Sequence, residues 1–227
     1  MRAARIDDPT IARRRARARS LAGLYALTPD LDDTATLVAK VAAALAGGAR
    51  AIQYRNKSAS PELRREQAQA LARLTSARGG LYIVNDDPEL ARDVDADGVH
   101  VGEDDATIIA AREIVGADRL VGVSCYNDLS CAEAAVAAGA DYIAFGSFFP
   151  SATKPGARRA DVSLLARAAS LGVPRVAIGG ITPENASVLV AAGADALAVI
   201  TSVFDHDDDA EIARAAEAFV SAMGVIA

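Results

Sequence analysis

Eight short apolar runs, separated for the most part by helical stretches, predict a single (β/α)8 barrel, the TIM-barrel class of α/β fold. The runs read as continuous Val, Ile and Ala rather than as an alternation, as parallel strands buried on both faces do. Two fragments also echo each other, Ala138-Gly139-Ala140-Asp141 and Ala192-Gly193-Ala194-Asp195, each a helix end with a glycine stop leading into a strand. The rival, a doubly wound open sheet, would carry Gly-x-Gly-x-x-Gly after its first strand, and no such motif stands there.

In chain order, residues 1–20 come first, with arginines at Arg2, Arg5, Arg13, Arg14, Arg15, Arg17 and Arg19. Asp7 and Asp8 argue against a transit peptide, which would lack acids. Pro9-Thr10 opens a short helix from Ile11 to Ser20, read as a solvated arm distinct from the barrel domain at 21–227. An arm for contact with a partner protein or nucleic acid is the alternative. The strands are expected at 23–28, 50–55, 81–85, 98–102, 120–125, 142–148, 175–180 and 197–203. Helices are expected at 33–46, 60–77, 105–115, 129–138, 161–171, 183–192 and 208–223, with only about one and a half turns at 88–93. No linker divides the 227 residues into two domains.

Composition narrows the function. A net charge of −6 lacks the basic face of a general nucleic-acid binder, and no apolar run approaches a membrane span. Cys125 and Cys131 have neither a metal nor a redox spacing, so a reducing cytoplasm is expected. Cys125 is read as a buried small hydrophobe at a strand end.

In a barrel the active site is built at the carboxyl ends of the strands. The period of two puts Gln53, Arg55 and Lys57 on one side of the second strand's exit. The third strand ends in Asn85-Asp86-Asp87 and the fourth in Glu103-Asp104-Asp105. These strands are neighbours roughly 4.8 Å apart, so acids from both can converge on a divalent cation that also touches a phosphate. Helix capping by Asp87 or Asp104 explains one acid per loop, not acids in two adjacent loops.

Gly179-Gly180, Thr201 and Ser202 sit where barrels often bind phosphate, and Ser151-Ala152-Thr153-Lys154-Pro155-Gly156 forms a donor-rich loop after the sixth strand. Ser124 ends the fifth. His100, within the fourth strand, is read as a hydrogen-bonded barrel residue rather than a base. Two anion pockets without an evident nucleophile–base pair suggest the joining of two substrates with departure of pyrophosphate.

These stretches resemble the thiamine-phosphate synthase family. The matching segments are Gln53-Tyr54-Arg55-Asn56-Lys57, Asn85-Asp86-Asp87, Asp97-Gly98-Val99-His100-Val101-Gly102, Gly122-Val123-Ser124, Pro150-Ser151-Ala152-Thr153-Lys154, Ile178-Gly179-Gly180-Ile181 and Val199-Ile200-Thr201. They fall in family order and span residues 23–205. The resemblance implies a transferase that condenses a 4-amino-2-methylpyrimidine pyrophosphate with 4-methyl-5-(2-phosphoethyl)thiazole. It implies Mg²⁺ on Asp86 and Asp105, and the pyrimidine pyrophosphate on Gln53, Tyr54, Arg55, Asn56, Lys57, Asn85, Ser124 and Lys154. It further implies the thiazole phosphate on Ser151, Ala152, Thr153, Gly180, Ile200 and Thr201, and catalytic roles for Arg55, Lys57, Ser124 and Lys154. Small-molecule substrates are the expected partners, with no nucleic acid or membrane, and a homo-oligomer is compatible with the sequence.

One departure is Glu103, where much of the family has Gln; Ser151 stands where Thr is also common. The rival readings are a thiazole tautomerase on the same barrel and a non-catalytic thiamine-phosphate binding or regulatory protein.

Overall fold

The computed structural model describes residues 9–102, 108–150 and 158–224. Eight parallel strands close into a barrel in sequential order: β1 Gly23–Leu27, β2 Ala51–Tyr54, β3 Leu81–Asn85, β4 Gly98–Val101, β5 Leu120–Ser124, β6 Tyr142–Phe145, β7 Arg175–Ile178 and β8 Ala196–Val199. Closure comes from β1 pairing with both β2 and β8, with Tyr25 opposite Ala51 on one side and Ala198 on the other.

The helices are α1 Pro9–Arg19, α2 Thr34–Ala46, α3 Pro61–Ala77, α4 Pro88–Asp93, α5 Ile108–Val115, α6 Leu129–Ala137, α7 Ser163–Arg167, α8 Pro183–Ala191, α9 Thr201–Phe204 and α10 Asp209–Ala222. Their starts are written in the sequence. Asp33, Ser60, Asp87, Asp128 and Asp208 each accept a backbone N–H from the first turn of the helix they precede. Thr182 and Asn185 form a capping box, with proline at the first helical position of α8.

Two expected elements differ. The run 197–203 is strand only to Val199, and Thr201–Phe204 is helical instead. The β-branched residues there have strand preference, but such preferences are weak and yield to tertiary context. The helix at 161–171 is one turn of α-helix, α7, followed by a 3-10 turn at Ala168–Leu171.

Side-chain alternation divides the core into two layers. Leu24, Ile52, Val84, Val99, Val121, Ile143, Ala177 and Leu197 face outward and are covered by the helices. Tyr25, Leu81, Ile83, Leu120, Tyr142, Val176 and Ala196 fill the barrel interior. Gly122 leaves room for the Tyr142 ring, because a Cβ there would lie 1.9 Å from Tyr142 Cζ. Tyr142 meets Tyr25 edge-on, with ring centroids 6.3 Å apart. His100, also interior, is bonded on both ring nitrogens, and burial pulls its pKa down to about 4, so it stands neutral.

The amino-terminal helix leaves Arg13, Arg15, Arg17 and Arg19 exposed, as the arginines suggest, but it also packs on the barrel. Ala18 and Leu21 are fully buried and belong to the interior core, so α1 and the turn after it close the bottom of the barrel. Arg14 pairs with Asp141 and Arg17 with Asp97.

The same carboxylates explain the repeated Gly-Ala-Asp segments. Asp141 accepts from Val121 N at 2.8 Å and Asp195 from Arg175 N at 2.8 Å, while Asp97 accepts from Tyr82 N at 2.6 Å. Each aspartate precedes an even-numbered strand and pins the start of the odd strand before it.

Asp141 carries the heaviest load, being 3% exposed and shared by Arg14 and Arg112. Asp141→Ala should therefore lower unfolding free energy by about 3–5 kcal/mol, read by chemical denaturation, because it strands two arginines and a backbone N–H. His100 predicts a pH dependence. Its folded pKa lies below the unfolded value, so between about pH 6.5 and 4 the unfolded chain binds more protons than the folded one. Stability is then fully present above pH 6.5 and falls as pH drops toward 4, by on the order of 3 kcal/mol. His100→Gln should remove that part of the acid slope in denaturation curves taken across the window.

Candidate active site

A cavity of about 710 Å³ opens at the carboxyl ends of the strands, within the roughly 300–1,000 Å³ range of small-molecule sites. Its walls bring together Gln53, Arg55, Lys57, Asn85, Asp86 and Ser124 with Gly180, Ile200 and Thr201. The loops after β3 and β7 stand on opposite sides of an eight-strand ring, so the basic and acidic groups face the glycine turn across the mouth.

The segment 53–57 divides as its period requires. Gln53, Arg55 and Lys57 turn to the cavity. Tyr54 and Asn56 turn away and are 2% and 5% exposed. Tyr54 OH donates to Gln67 Oε1 at 2.9 Å, and Asn56 Nδ2 donates to Leu31 O and Gln67 Oε1 at 2.9 and 3.1 Å. Asn56 Oδ1 accepts from the Ser58 and Ala59 backbones at 3.2 and 3.1 Å. The Tyr54 and Asn56 side chains therefore anchor the segment: their polar atoms hold the loop from behind.

Thr28, fully buried, ties the two strand ends together by donating to Arg55 O at 2.8 Å and accepting from Arg55 N at 2.9 Å. The Arg55 guanidinium rests on Asp30 at 3.1 Å, which orients it before any ligand arrives.

Asp86 and Asp87 have different work. Asp87 Oδ1 accepts from Leu90 N at 2.9 Å and caps α4. Asp86 sits at φ 59°, an uncommon backbone for a residue with a side chain, and its N–H donates to His100 O at 2.8 Å. Its carboxylate accepts from Asn85 Nδ2 at 2.5 Å and lies 3.9 Å from Lys57 Nζ. The Asp86 carboxylate with the Asn85 amide oxygen beside it offers an all-oxygen donor set. That suits Mg²⁺, which keeps several waters and shares phosphate oxygens. Among the described residues no three His, Cys, Asp or Glu side chains gather as an all-protein metal cage. Asp105, with Glu103 and Asp104, lies outside the described residues, as do Ser151, Ala152, Thr153 and Lys154.

On the other wall, Gly179 and Gly180 have φ 104° and 65°. A Cβ at Gly180 would lie 2.2 Å from Pro150 O, so this turn admits no side chain where the loop after β6 closes on it. Thr201 is exposed at the head of α9. Barrels commonly bind phosphate with the loops after strands 7 and 8 and the start of a short extra helix, which is what α9 is. Ser202 Oγ instead donates to Ile181 O at 2.6 Å and joins the two loops.

Several cavity residues escaped the reading from sequence, among them two tyrosines and an arginine. Tyr25 forms part of the floor, and Tyr126 and Arg158 stand at the rim. Only the strand-end position of Tyr126 could have signalled it; Arg158 is one arginine among many. Cys125 packs in the outer layer, its thiol pushed well up by burial, whereas Cys131 lines the cavity.

Comparison with known proteins agrees with this geometry. The family model described as Thiamine monophosphate synthase matches residues 24–203. A thiamine-phosphate synthase from Chromobacterium violaceum is 58% identical over 193 residues, covering 85% of this chain and 93% of that protein. Its counterpart from Thiobacillus denitrificans is 56% identical over 187 residues, covering 82% and 89%. Among solved structures, a thiamine phosphate pyrophosphorylase from Pyrococcus furiosus superposes with a TM-score of 0.80 at 34% identity, covering 91% of this chain and 97% of that one. The chain belongs to the thiamine monophosphate synthase family, transferases of thiamine biosynthesis built on a (β/α)8 barrel.

Proposed function

We propose that the cavity joins a 4-amino-2-methylpyrimidine pyrophosphate to 4-methyl-5-(2-phosphoethyl)thiazole, releasing thiamine phosphate and pyrophosphate. The observation that carries this is the period-two display of Gln53, Arg55 and Lys57 beside Asp86, across one mouth from Gly180 and Thr201. One wall suits a pyrophosphate and the other a monophosphate.

Asn85, Arg55 and Lys57 hold the pyrophosphate, and Ser124 and Gln53 hold the pyrimidine end. Mg²⁺ would be held by Asp86, with Asp105 as the second carboxylate, and would supply charge neutralisation for the departing group. Gly180, Ile200 and Thr201, with Ser151, Ala152 and Thr153, hold the thiazole phosphate. Lys154 covers the pyrophosphate.

The substitution is dissociative. The C–O bond to the pyrophosphate breaks first, and the electron-rich aminopyrimidine carries the resulting benzyl-like cation. The thiazole nitrogen then forms the new C–N bond with its lone pair. Such a step needs charge stabilisation and positioning rather than a base, in keeping with the neutral, doubly bonded His100. Among the described residues no helix is long and apolar enough to cross a membrane, and neither Cys125 nor Cys131 is in a disulfide. A cytoplasmic location suits both.

Purified protein given both substrates and Mg²⁺ should yield thiamine phosphate and pyrophosphate in equal amounts. Asp86→Ala should lower kcat/KM by roughly 100-fold or more. A fully active variant would remove Asp86 as a metal ligand and keep the synthase. No product from the wild type would return the tautomerase and the binding protein to consideration.

A further inference from the structure

Five polar side chains run in an unbroken file through the barrel interior beneath the cavity. Gln53 Nε2 donates to Tyr25 OH at 2.7 Å, and Tyr25 OH lies 3.1 Å from Tyr142 OH. Tyr142 OH lies 3.1 Å from His100 Nδ1, and His100 Nε2 lies 2.9 Å from Ser124 Oγ. Gln53, Tyr25, Tyr142 and His100 are all more than nine-tenths buried. The two ends of the file, Gln53 and Ser124, are the members assigned to the substrate; Tyr25 and His100 also border the cavity, but they and Tyr142 have no role in the reaction as described.

The direction of the bonds follows from counting protons. With the Gln53 amide donating to it, the Tyr25 hydroxyl must give its own proton to Tyr142, because no other acceptor among the described residues is bonded to it. Tyr142 then donates to His100 Nδ1. With Nδ1 accepting, His100 carries its ring proton on Nε2, which donates to Ser124 Oγ. The Ser124 hydroxyl proton is left to point into the cavity.

Running the file backward with the amide unchanged would leave the Tyr25 proton buried and unbonded, a costly arrangement. Only turning the amide over permits the reverse, and that would reverse every bond at once. Gln53 would then show its NH₂ to the cavity and Ser124 would become an acceptor. The two ends therefore change character together.

We propose that Tyr25, Tyr142 and His100 are positioning residues of a polarity relay that makes Gln53 a hydrogen-bond acceptor and Ser124 a donor toward the substrate. Gln53 Oε1 takes no hydrogen bond from the described residues, and the side chain lines the cavity. An acceptor there matches an exocyclic amino group. A donor at Ser124 matches a ring nitrogen or a pyrophosphate oxygen. An oxo group in place of the amino group would set two acceptors against each other. The ligand in this inference rests on the aminopyrimidine reading above, whereas the relay itself rests on the four distances.

The test measures binding of two probes by calorimetry with Mg²⁺ and without thiazole: the 4-aminopyrimidine pyrophosphate and its 4-oxo counterpart. The wild type should favour the amino compound by roughly 10- to 100-fold. Tyr142→Phe keeps the ring against Gly122 but cuts the file, freeing the amide to turn; the preference should shrink to within about threefold. Tyr25→Phe should do the same, with thermal melting used to show that both variants are folded. Loss of a merely structural hydroxyl would weaken both probes alike and leave the ratio in place. Variants that keep the wild-type ratio overturn the relay while the synthase reading stands. Equal binding of the two probes by the wild type overturns the assigned polarity. Binding of neither overturns the aminopyrimidine reading and the relay's ligand with it.

Discussion

Closure of the parallel sheet is the constraint from which the rest follows. Each strand of a closed parallel ring delivers its carboxyl end to the same rim, so side chains distant in sequence meet without any of them reaching far. Closure also leaves an interior that must be filled. Here the Tyr25–Tyr142 pair fills it, in space that Gly122 provides, and α1 seals the lower end with Ala18 and Leu21. Buried hydroxyls need partners, and the partners found are Gln53 and His100. The packing of the interior and the polarity of the cavity floor are thus one arrangement.

A second economy lies in the alternation of residues 53–57. One face of the segment meets the cavity, while Tyr54 and Asn56 bind Gln67 and Leu31 behind it. A flexible basic loop would have to be ordered by its ligand, at a cost in affinity. This loop is already held from the rear by buried hydrogen bonds and at its front by the Arg55–Asp30 pair.

Much of this was legible in the sequence for definite reasons. Strands buried on both faces read as unbroken apolar runs, so the eight strands and the residues at their ends could be placed. The alternation of Gln53, Arg55 and Lys57 could be read from the pleat alone. What escaped depended on distant partners. Arg14 and Arg17 look like their solvated neighbours until Asp141 and Asp97, 127 and 80 residues away, are seen beside them. The run after Val199 has strand composition, yet forms the short helix α9 at the mouth. The same pleat turns the Tyr54 and Asn56 side chains behind the segment, but their partner Gln67 on α3 could not be read from it. The division of labour between Asp86 and Asp87 rests on a positive φ that no spacing reveals.

The central claim is that one mouth holds two separate anion subsites at the same time. Calorimetric titration of the thiazole phosphate into protein already saturated with Mg²⁺ and inorganic pyrophosphate tests it most directly. Two walls acting independently predict 1:1 binding of the thiazole phosphate with an affinity close to that of the pyrophosphate-free protein. Competition between the two ligands, with the thiazole phosphate excluded as pyrophosphate rises, would contradict it.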